Sequence, residues 1–302
     1  MLEHLPVGEA AALGTAFCWS FGSMLFATAG RRIGSLTVNR WRLLVASILL
    51  MILHTILTGT PIPHGSPTAW MWLALSGIIG FALGDTFLFR SFVILGPRIG
   101  MVLMTLAPVF SALLALLLLG QKMTLMQQAG MMIVIAGVSW AVIHRPPLGT
   151  PSKEGSATLG IVFGILGALG QATGLVFSRI GMDAGPAPLT ANLMRLLSAL
   201  AVMTLIMIFR GTIVRVASAA KDKTAMIQLT AASTFGPVFG VWLSLIAVNY
   251  APIGVAATLM SISPVLLIPL SYFLLKERIH PQSVVGTGVA VLGVALLIGL
   301  SG

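Results

Sequence analysis

One carboxylate stands deep inside an apolar stretch of the sequence. Asp85, in Gly84-Asp85-Thr86, is the only acidic residue well inside a predicted apolar helix. At the centre of a bilayer a carboxylate costs at least ~2.5–3.5 kcal/mol on insertion scales, so it should face other helices or a cavity. There it could carry a proton or bind a substrate amine. The structural alternative is an ion pair with an arginine such as Arg42 or Arg90.

Two arginines occur in matching segments, each three residues after an asparagine. Asn39 and Arg42 share one helix face, and Asn192 and Arg195 share another. A planar guanidinium suits a carboxylate or phosphate in a polar cavity. Because each arginine is near the start of its helix, the alternative is that it extends to the membrane surface.

Three uncharged polar residues, Gln171, Asn249 and Tyr250, could line the same cavity. Amide side chains also bond across helices, so packing is their alternative role. The predicted substrate or ion pathway comprises Asp85, Asn39, Arg42, Asn192, Arg195, Gln171, Asn249 and Tyr250.

Glycines and prolines at matching places predict how helices pack and bend. Gly80-x-x-x-Gly84 and Gly236-x-x-x-Gly240 allow close approach of a neighbouring helix. Pro108 and Pro264 interrupt two further helices and free backbone groups. Each proline could supply a bend needed for movement or a static kink.

The composition sets the class of protein in which these residues lie. Only 8% of the 302 residues are charged, against roughly 25% in soluble domains, and 57% are apolar. Uncharged runs are long enough to cross a bilayer once, and 43–84 and 224–275 are long enough to cross twice. The sequence predicts an all-α polytopic membrane protein.

Splitting these runs at Gly, Pro and Ser clusters predicts ten transmembrane helices. They are 10–29, 36–58, 68–89, 98–119, 124–144, 157–178, 187–209, 225–248, 253–275 and 281–300. Short loops connect them, the longest being 145–156 and 211–224.

The chain also repeats itself. Residues 69–143 align without a gap on 225–299, with 14 identities in 75, and the segment beginning at Asn39 recurs at Asn192. The repeat predicts two five-helix halves, residues 1–150 and 151–302. Because five is odd, the halves should be inverted, an architecture typical of secondary transporters. Asp85 has Val241 as its repeat partner.

The basic residues are distributed as inversion requires. The loops after odd-numbered helices, with the adjoining helix ends, hold 14 of the 17 lysines and arginines; the other three are Lys122, Arg179 and Arg195. Basic loops favour the cytoplasm, so this bias predicts both termini outside.

The duplicated layout and several motifs resemble the EamA-type transporters of the drug/metabolite transporter superfamily. The motifs are the Arg42 and Arg195 segments, Pro108 and Pro264, and the helix ends Leu118-Leu119-Gly120-Gln121-Lys122 and Leu274-Leu275-Lys276-Glu277-Arg278. The resemblance implies small-molecule transport across the cytoplasmic membrane, with both termini inside. The chain departs from the family's Gly-Glu-basic pattern at Gln121 and Lys276, so a role for that carboxylate could apply only to Glu277.

The predicted function is secondary transport, in the export direction, of a small metabolite such as an amino acid or drug-like compound. Alternating access would move it, with proton coupling through Asp85 left open. The alternatives are an organic-anion or sugar-phosphate exchanger and, from another class, an intramembrane enzyme acting on a lipid-linked substrate. The sequence contains no His-Glu-x-x-His, Gly-x-Ser-x-Gly or Gly-x-x-x-x-Gly-Lys motif, which favours a protein that is not an enzyme.

The expected partners are a small-molecule substrate and membrane lipid. With Cys18 as the single cysteine, the sequence predicts no disulfide, metal or cofactor. The net charge of +10 is spread singly or in short groups between apolar runs, so nucleic acid is not an expected partner.

Overall fold

The computed structural model describes residues 7–119, 124–144, 153–250, 256, 259–275 and 280–299. Within these ranges every regular element is helical and no strand occurs.

The first part of the chain forms seven helices and one π-helical segment. They are α1 (Val7–Ile33), α2 (Ser35–Thr58), α3 (Pro67–Gly77), π1 (Ile78–Gly84), α4 (Asp85–Leu95), α5 (Pro97–Met104), α6 (Ala107–Leu119) and α7 (Leu125–Ile143).

The second part has similar elements and a short extra helix. They are α8 (Ala157–Asp183), α9 (Pro188–Phe209), α10 (Ile213–Ser218), α11 (Lys223–Ser233), π2 (Thr234–Gly240), α12 (Val241–Tyr250), α13 (Ser263–Leu275) and α14 (Pro281–Gly299).

Within the part of the chain that the structure describes, seven helical segments are long and apolar enough to cross a membrane. They are Val7–Ile33, Ser35–Thr58, Pro67–Leu95, Pro97–Leu114, Ala157–Asp183, Pro188–Phe209 and Lys223–Tyr250. Three shorter apolar helices, Gln128–Ile143, Ser263–Phe273 and Pro281–Leu296, correspond to the other predicted spans. An all-helical, multi-pass membrane protein is therefore confirmed, whereas the number ten stays a prediction.

Both parts interrupt their helices at corresponding places. The segments π1 and π2 are seven residues each and are 156 residues apart. A turn at Thr105–Leu106 separates α5 from α6, and the turn at 261–262 precedes α13. Pro108 and Pro264 lie in the first turn after these breaks, where a missing N–H costs no helical hydrogen bond. The interruptions are therefore part of the repeated pattern.

The helices α7 and α14 pack in antiparallel directions through small residues. Gly137 lies against the backbone of Ala290, Gly286 against that of Ala141, and Gly293 against that of Val134. The residue numbers fall on one helix as they rise on the other. In the repeat Gly137 corresponds to Gly293 and Val134 to Ala290, so the contact of Gly137 with Ala290 recurs as the contact of Gly293 with Val134.

The first helix of each part packs against the π-helical segment of the other part. Gly22 of α1 lies beside Gly236 of π2, while Gly170 and Gly174 of α8 lie beside Gly84 and Gly80 of π1. A Cβ on Gly84 would come within 3.2 Å of the Gly170 Cα, so these backbones approach closely. Gly240, next to Cys18 and Trp19, has the equivalent position against α1.

Polar contacts tie several connections together at one end of the helices. Arg32 and Asp222 form an ion pair of 2.9 Å, and the Trp41 indole N–H donates to the Val216 carbonyl. The hydrogen bond from Arg32, together with that from the Ala225 backbone N–H, lowers the pKa of Asp222. The Ser35 N–H and hydroxyl both donate to the Glu154 carboxylate. We call this the basic end, because most of the described lysines and arginines outside the core lie near it.

The connection 211–224 differs from the expected loop. It contains α10 and a 3₁₀ turn at Ala219–Lys221, and Asp222 then caps α11 by accepting from the Ala225 N–H. The Trp41 indole N–H donates to a backbone carbonyl of this connection, a contact that local sequence does not reveal.

We predict that Gly286→Ala destabilises the protein whereas Gly288→Ala does not. A Cβ on Gly286 would lie 2.5 Å from the Ala141 backbone nitrogen, and one on Gly288 would meet nothing within 4 Å. Overpacking of this kind costs about 1–3 kcal/mol. Thermal unfolding in detergent compares the two variants on one helix, and equal midpoints would contradict the packing of α7 on α14.

Candidate functional site

The centre of the protein contains an ion pair shielded from solvent. A terminal nitrogen of Arg42, Nη2, lies 2.6 Å from Asp85 Oδ2, and both side chains are 0% exposed. Arg42 lies in the third turn of α2, and Asp85 is the first residue of α4, directly after π1. Of the two arginines considered from sequence, Arg42 is the partner of Asp85.

The other carboxylate oxygen of Asp85 has a partner on a different helix. Gln171 of α8 donates from Nε2 to Asp85 Oδ1 over 2.5 Å. Both oxygens of this buried carboxylate are thus engaged, as the cost of burying an unpaired charge requires. Gln171 is half-buried, and it joins the second part of the chain to the acid of the first.

Asn39 connects Arg42 to π1. Its Oδ1 accepts from Arg42 Nε over 3.2 Å, and its Nδ2 donates to the Phe81 carbonyl over 3.1 Å and to the Thr86 hydroxyl over 2.8 Å. A π-helical turn disturbs the regular pairing of carbonyls, and a buried carbonyl needs a donor. Asn39 therefore supports π1 and holds the Arg42 guanidinium at the same time.

The second part of the chain repeats this support. Asn192 of α9 donates from Nδ2 to the Pro237 carbonyl of π2 over 2.9 Å. Pro237 is the repeat partner of Phe81, so the two asparagines bond to equivalent carbonyls. The register of α9 on π2 therefore matches that of α2 on π1.

Arg195, the counterpart of Arg42, has a different environment. It is 3% exposed, and across the described ranges its guanidinium makes no hydrogen bond or ion pair. Its Nε and the Asn192 Oδ1 are both buried without a partner, although the matching atoms of Arg42 and Asn39 are bonded. The position that would supply an acid is occupied by Val241.

Both arginines stack on one aromatic ring. The Arg42 guanidinium carbon lies 5.4 Å from the Phe81 ring centroid and 5.2 Å from that of Phe89, while the Arg195 carbon lies 4.3 Å from Phe81. Gly77 lets α3 approach the Arg195 backbone, since a Cβ there would overlap its carbonyl. Arg42, Asp85 and Arg195 thus form one group, which we call the central charge cluster.

The central charge cluster carries a surplus positive charge. Among the described residues, two buried arginines face one buried carboxylate, and Arg195 is influenced electrostatically by both Asp85 and Arg42. A charge buried without a partner is costly, and a guanidinium presents planar donors suited to a carboxylate or phosphate. The arrangement can therefore accept an anionic group beside Arg195.

The structure separates the other predicted pathway residues from this cluster. Asn249 and Tyr250 are exposed at the end of α12, about 12 Å along the helix from Val241 at 1.5 Å per residue. Arg42 and Arg195 are buried, which disfavours the alternative that they extend to the membrane surface. Their burial follows from the packing of α2 and α9 on each other and on the π-helical segments, which brings the Phe81 ring beside both arginines.

Sequence reasoning missed Phe81, Phe89 and Gly77. Phe81 and Phe89 are each four residues from Asp85, a spacing that puts all three on one helix face and could have identified them. No spacing of this kind in the sequence pointed to Gly77. In the ranges that the structure describes, His, Cys, Asp and Glu side chains do not gather in threes, so no metal centre is assigned.

The fold and the site define a multi-pass membrane protein with a charged centre, and comparisons with known proteins agree. The EamA-like transporter family matches twice, at residues 6–143 and 158–299. The chain belongs to this family of the drug/metabolite transporter superfamily, whose members are membrane transporters of small solutes.

A solved structure titled "Crystal structure of protein" has the same fold. It is 15% identical, with a TM-score of 0.66 over 97% of this chain and 96% of its own. No curated protein matches the chain significantly.

We predict that Asp85→Asn lowers the free energy of unfolding by about 3–5 kcal/mol, because it leaves the buried Arg42 without its counter-charge. The double variant Arg42→Gln/Asp85→Asn removes both charges and should lose less than Asp85→Asn alone. Denaturant titration in mixed micelles measures these values.

Asp183→Asn is the matched control for this cycle. Asp183 pairs with Arg179 at 3.1 Å but is 62% exposed, so its loss should cost less than about 1 kcal/mol. Additive effects of the Arg42 and Asp85 substitutions would show that the two groups do not interact.

Proposed function

We propose that this protein is a secondary transporter of a small solute that carries a carboxylate, and that Arg195 binds this group. The observation that carries the proposal is the surplus charge of the central charge cluster, in which two buried arginines lie beside one buried acid. The surplus favours amino acids and organic acids over cationic drugs. Asn192 Oδ1, which lacks a donor, would accept a hydrogen bond from a solute N–H.

Two inverted five-helix halves, forming ten spans, would provide alternating access. Three features support this: the antiparallel contact of the equivalent helices α7 and α14, the matching π segments, and the family match to each half. In this arrangement α2 and α9 begin at opposite sides of the membrane. Arg42 and Arg195 each lie about 10 Å along their helix from its first residue, at 1.5 Å per residue. The solute site would then lie near the midplane, between the halves.

The breaks before α6 and α13 supply the points at which the halves bend. Helices that are interrupted in both halves can change direction without breaking further hydrogen bonds. Pro108 and Pro264 would fix where each bend occurs. Gly80, Gly84, Gly236 and Gly240 would allow the π segments to slide against α8 and α1.

Asp85 gives this scheme a route to proton coupling. A proton on Asp85 would remove the charge that holds Arg42, freeing a second guanidinium for the solute. Coupling of this kind makes solute binding and proton binding favour each other.

The basic end is proposed to face the cytoplasm of a cell whose inner membrane holds the protein. The predicted bias of 14 in 17 basic residues includes Arg42, which is buried, but the exposed Arg31, Arg32, Arg210 and Arg215 support the same orientation. Both termini would then lie outside, contrary to what resemblance to the family implies.

We predict that Arg195→Gln strongly reduces exchange of carboxylate solutes without destabilising the protein. The substitution removes a buried charge that has no described partner, so the folded state loses no ion pair. Counterflow in proteoliposomes, with labelled amino acids, organic acids, sugar phosphates and cationic drugs, measures exchange.

The matched control is Lys221→Gln, which makes the same change in net charge at an exposed position. Carboxylate exchange should fall at least about tenfold in Arg195→Gln, given about 1.5–3 kcal/mol for a charged hydrogen bond, and should persist in Lys221→Gln. Exchange of a cationic drug that is unaffected by Arg195→Gln would refute the assignment of the substrate class.

A further inference from the structure

Two arginines lie close together at the basic end, away from the central charge cluster. Arg40, in the second turn of α2, is half-buried, and Arg210 follows the last residue of α9. Arg210 is near enough for its charge to act on Arg40. Like charges repel, so this juxtaposition is unfavourable unless an anion lies between them.

Polar atoms beside the arginines lack partners. The Arg40 Nε and the Thr212 hydroxyl oxygen are buried, and neither makes a hydrogen bond within the described residues. The acids at this end are engaged elsewhere, Asp222 with Arg32 and Glu154 with Ser35. Buried polar groups are normally satisfied, so these two atoms are available to hydrogen-bond a group from outside the chain.

The connection that carries Thr212 is held in place. The Trp41 indole N–H donates to the Val216 carbonyl over 2.9 Å, which fixes α10 against α2. Arg40 is the residue before Trp41, and Thr212 precedes α10 directly. Arg40, Arg210 and Thr212 therefore lie where α2, α9 and α10 meet, and the hydrogen bond of Trp41 restrains this corner.

Apolar side chains flank this corner on the outside. Phe209, directly before Arg210, is 87% exposed, and Val214, two residues after Thr212, is 80% exposed. In a bilayer, such residues contact acyl chains, while arginines at a helix end meet the headgroups.

We propose that Arg40, Arg210 and Thr212 bind the phosphate of an anionic phospholipid. The phosphate would accept hydrogen bonds from Arg40 Nε, from the Arg210 guanidinium and from the Thr212 hydroxyl, and the acyl chains would lie on Phe209 and Val214. Charge complementarity favours a lipid with net negative charge over a zwitterionic one, because no acid of the site can attract a headgroup amine. The proposal is independent of the solute site.

The test is a titration of the purified protein in detergent with phosphatidylglycerol, phosphatidylcholine or inorganic phosphate, following the midpoint of thermal unfolding. Phosphatidylglycerol should raise the midpoint of the wild type, and the other two should not. Arg40→Gln and Arg210→Gln should each weaken the apparent lipid affinity about tenfold, as expected for a lost charge-assisted hydrogen bond.

Arg31→Gln is the control, because Arg31 is exposed at the same end and the variant has the same net charge. It should retain the response to phosphatidylglycerol. If Arg31→Gln loses the response to phosphatidylglycerol to the same extent, the proposal is overturned, because any basic residue at this end would then attract the lipid. An equal response to inorganic phosphate would overturn the lipid as ligand, and an equal response to phosphatidylcholine would overturn its charge selectivity. Since Arg210 follows α9 rather than lying inside it, Arg210→Gln tests the site even if Arg40→Gln does not fold.

Discussion

The contact between Arg42 and Asp85 constrains the rest of the structure, since neither charge can be stabilised by water at 0% exposure. Asp85 needs Gln171 for its second oxygen, and Arg42 needs Asn39 for its Nε. Asn39 in turn donates to the Phe81 carbonyl, which belongs to the π-helical segment π1. The positions of α2, π1, α4 and α8 are thereby tied to one pair of charges. A change at either charge leaves the other without compensation.

The two parts of the chain use one framework but differ in charge. Asn39 and Asn192 bond to equivalent carbonyls, and π1 and π2 have equal lengths and corresponding positions. At the position of Asp85, however, the second part has Val241. Arg195 consequently stacks on Phe81 of the first part and keeps an Nε without a partner. The framework is symmetric, whereas the charge is not, and the proposal of an anionic solute rests on this asymmetry.

Apolar runs were sufficient to predict the helices, because the bilayer sets their length and composition. The predicted 36–58 and 187–209 differ by one residue from Ser35–Thr58 and Pro188–Phe209. The sequence also yielded the ion pair of Asp85 as one of two alternatives. It could not yield π1 and π2, since a π turn depends on the neighbours that satisfy its carbonyls. Asn249 and Tyr250 were grouped with the site by polarity alone, and they lie at an exposed helix end.

The central claim is that the solute's carboxylate completes the partner set of Arg195, as Asp85 completes that of Arg42. The most direct experiment measures the thermal stability and the carboxylate exchange of Val241→Asp. In this variant the chain itself supplies an acid at the position equivalent to Asp85. A buried, unpaired carboxylate would be strongly destabilising. The account predicts instead that Val241→Asp keeps the thermal stability of the wild type and no longer binds carboxylate solutes. A variant that unfolds, or one that still exchanges carboxylates at the wild-type rate, would contradict it.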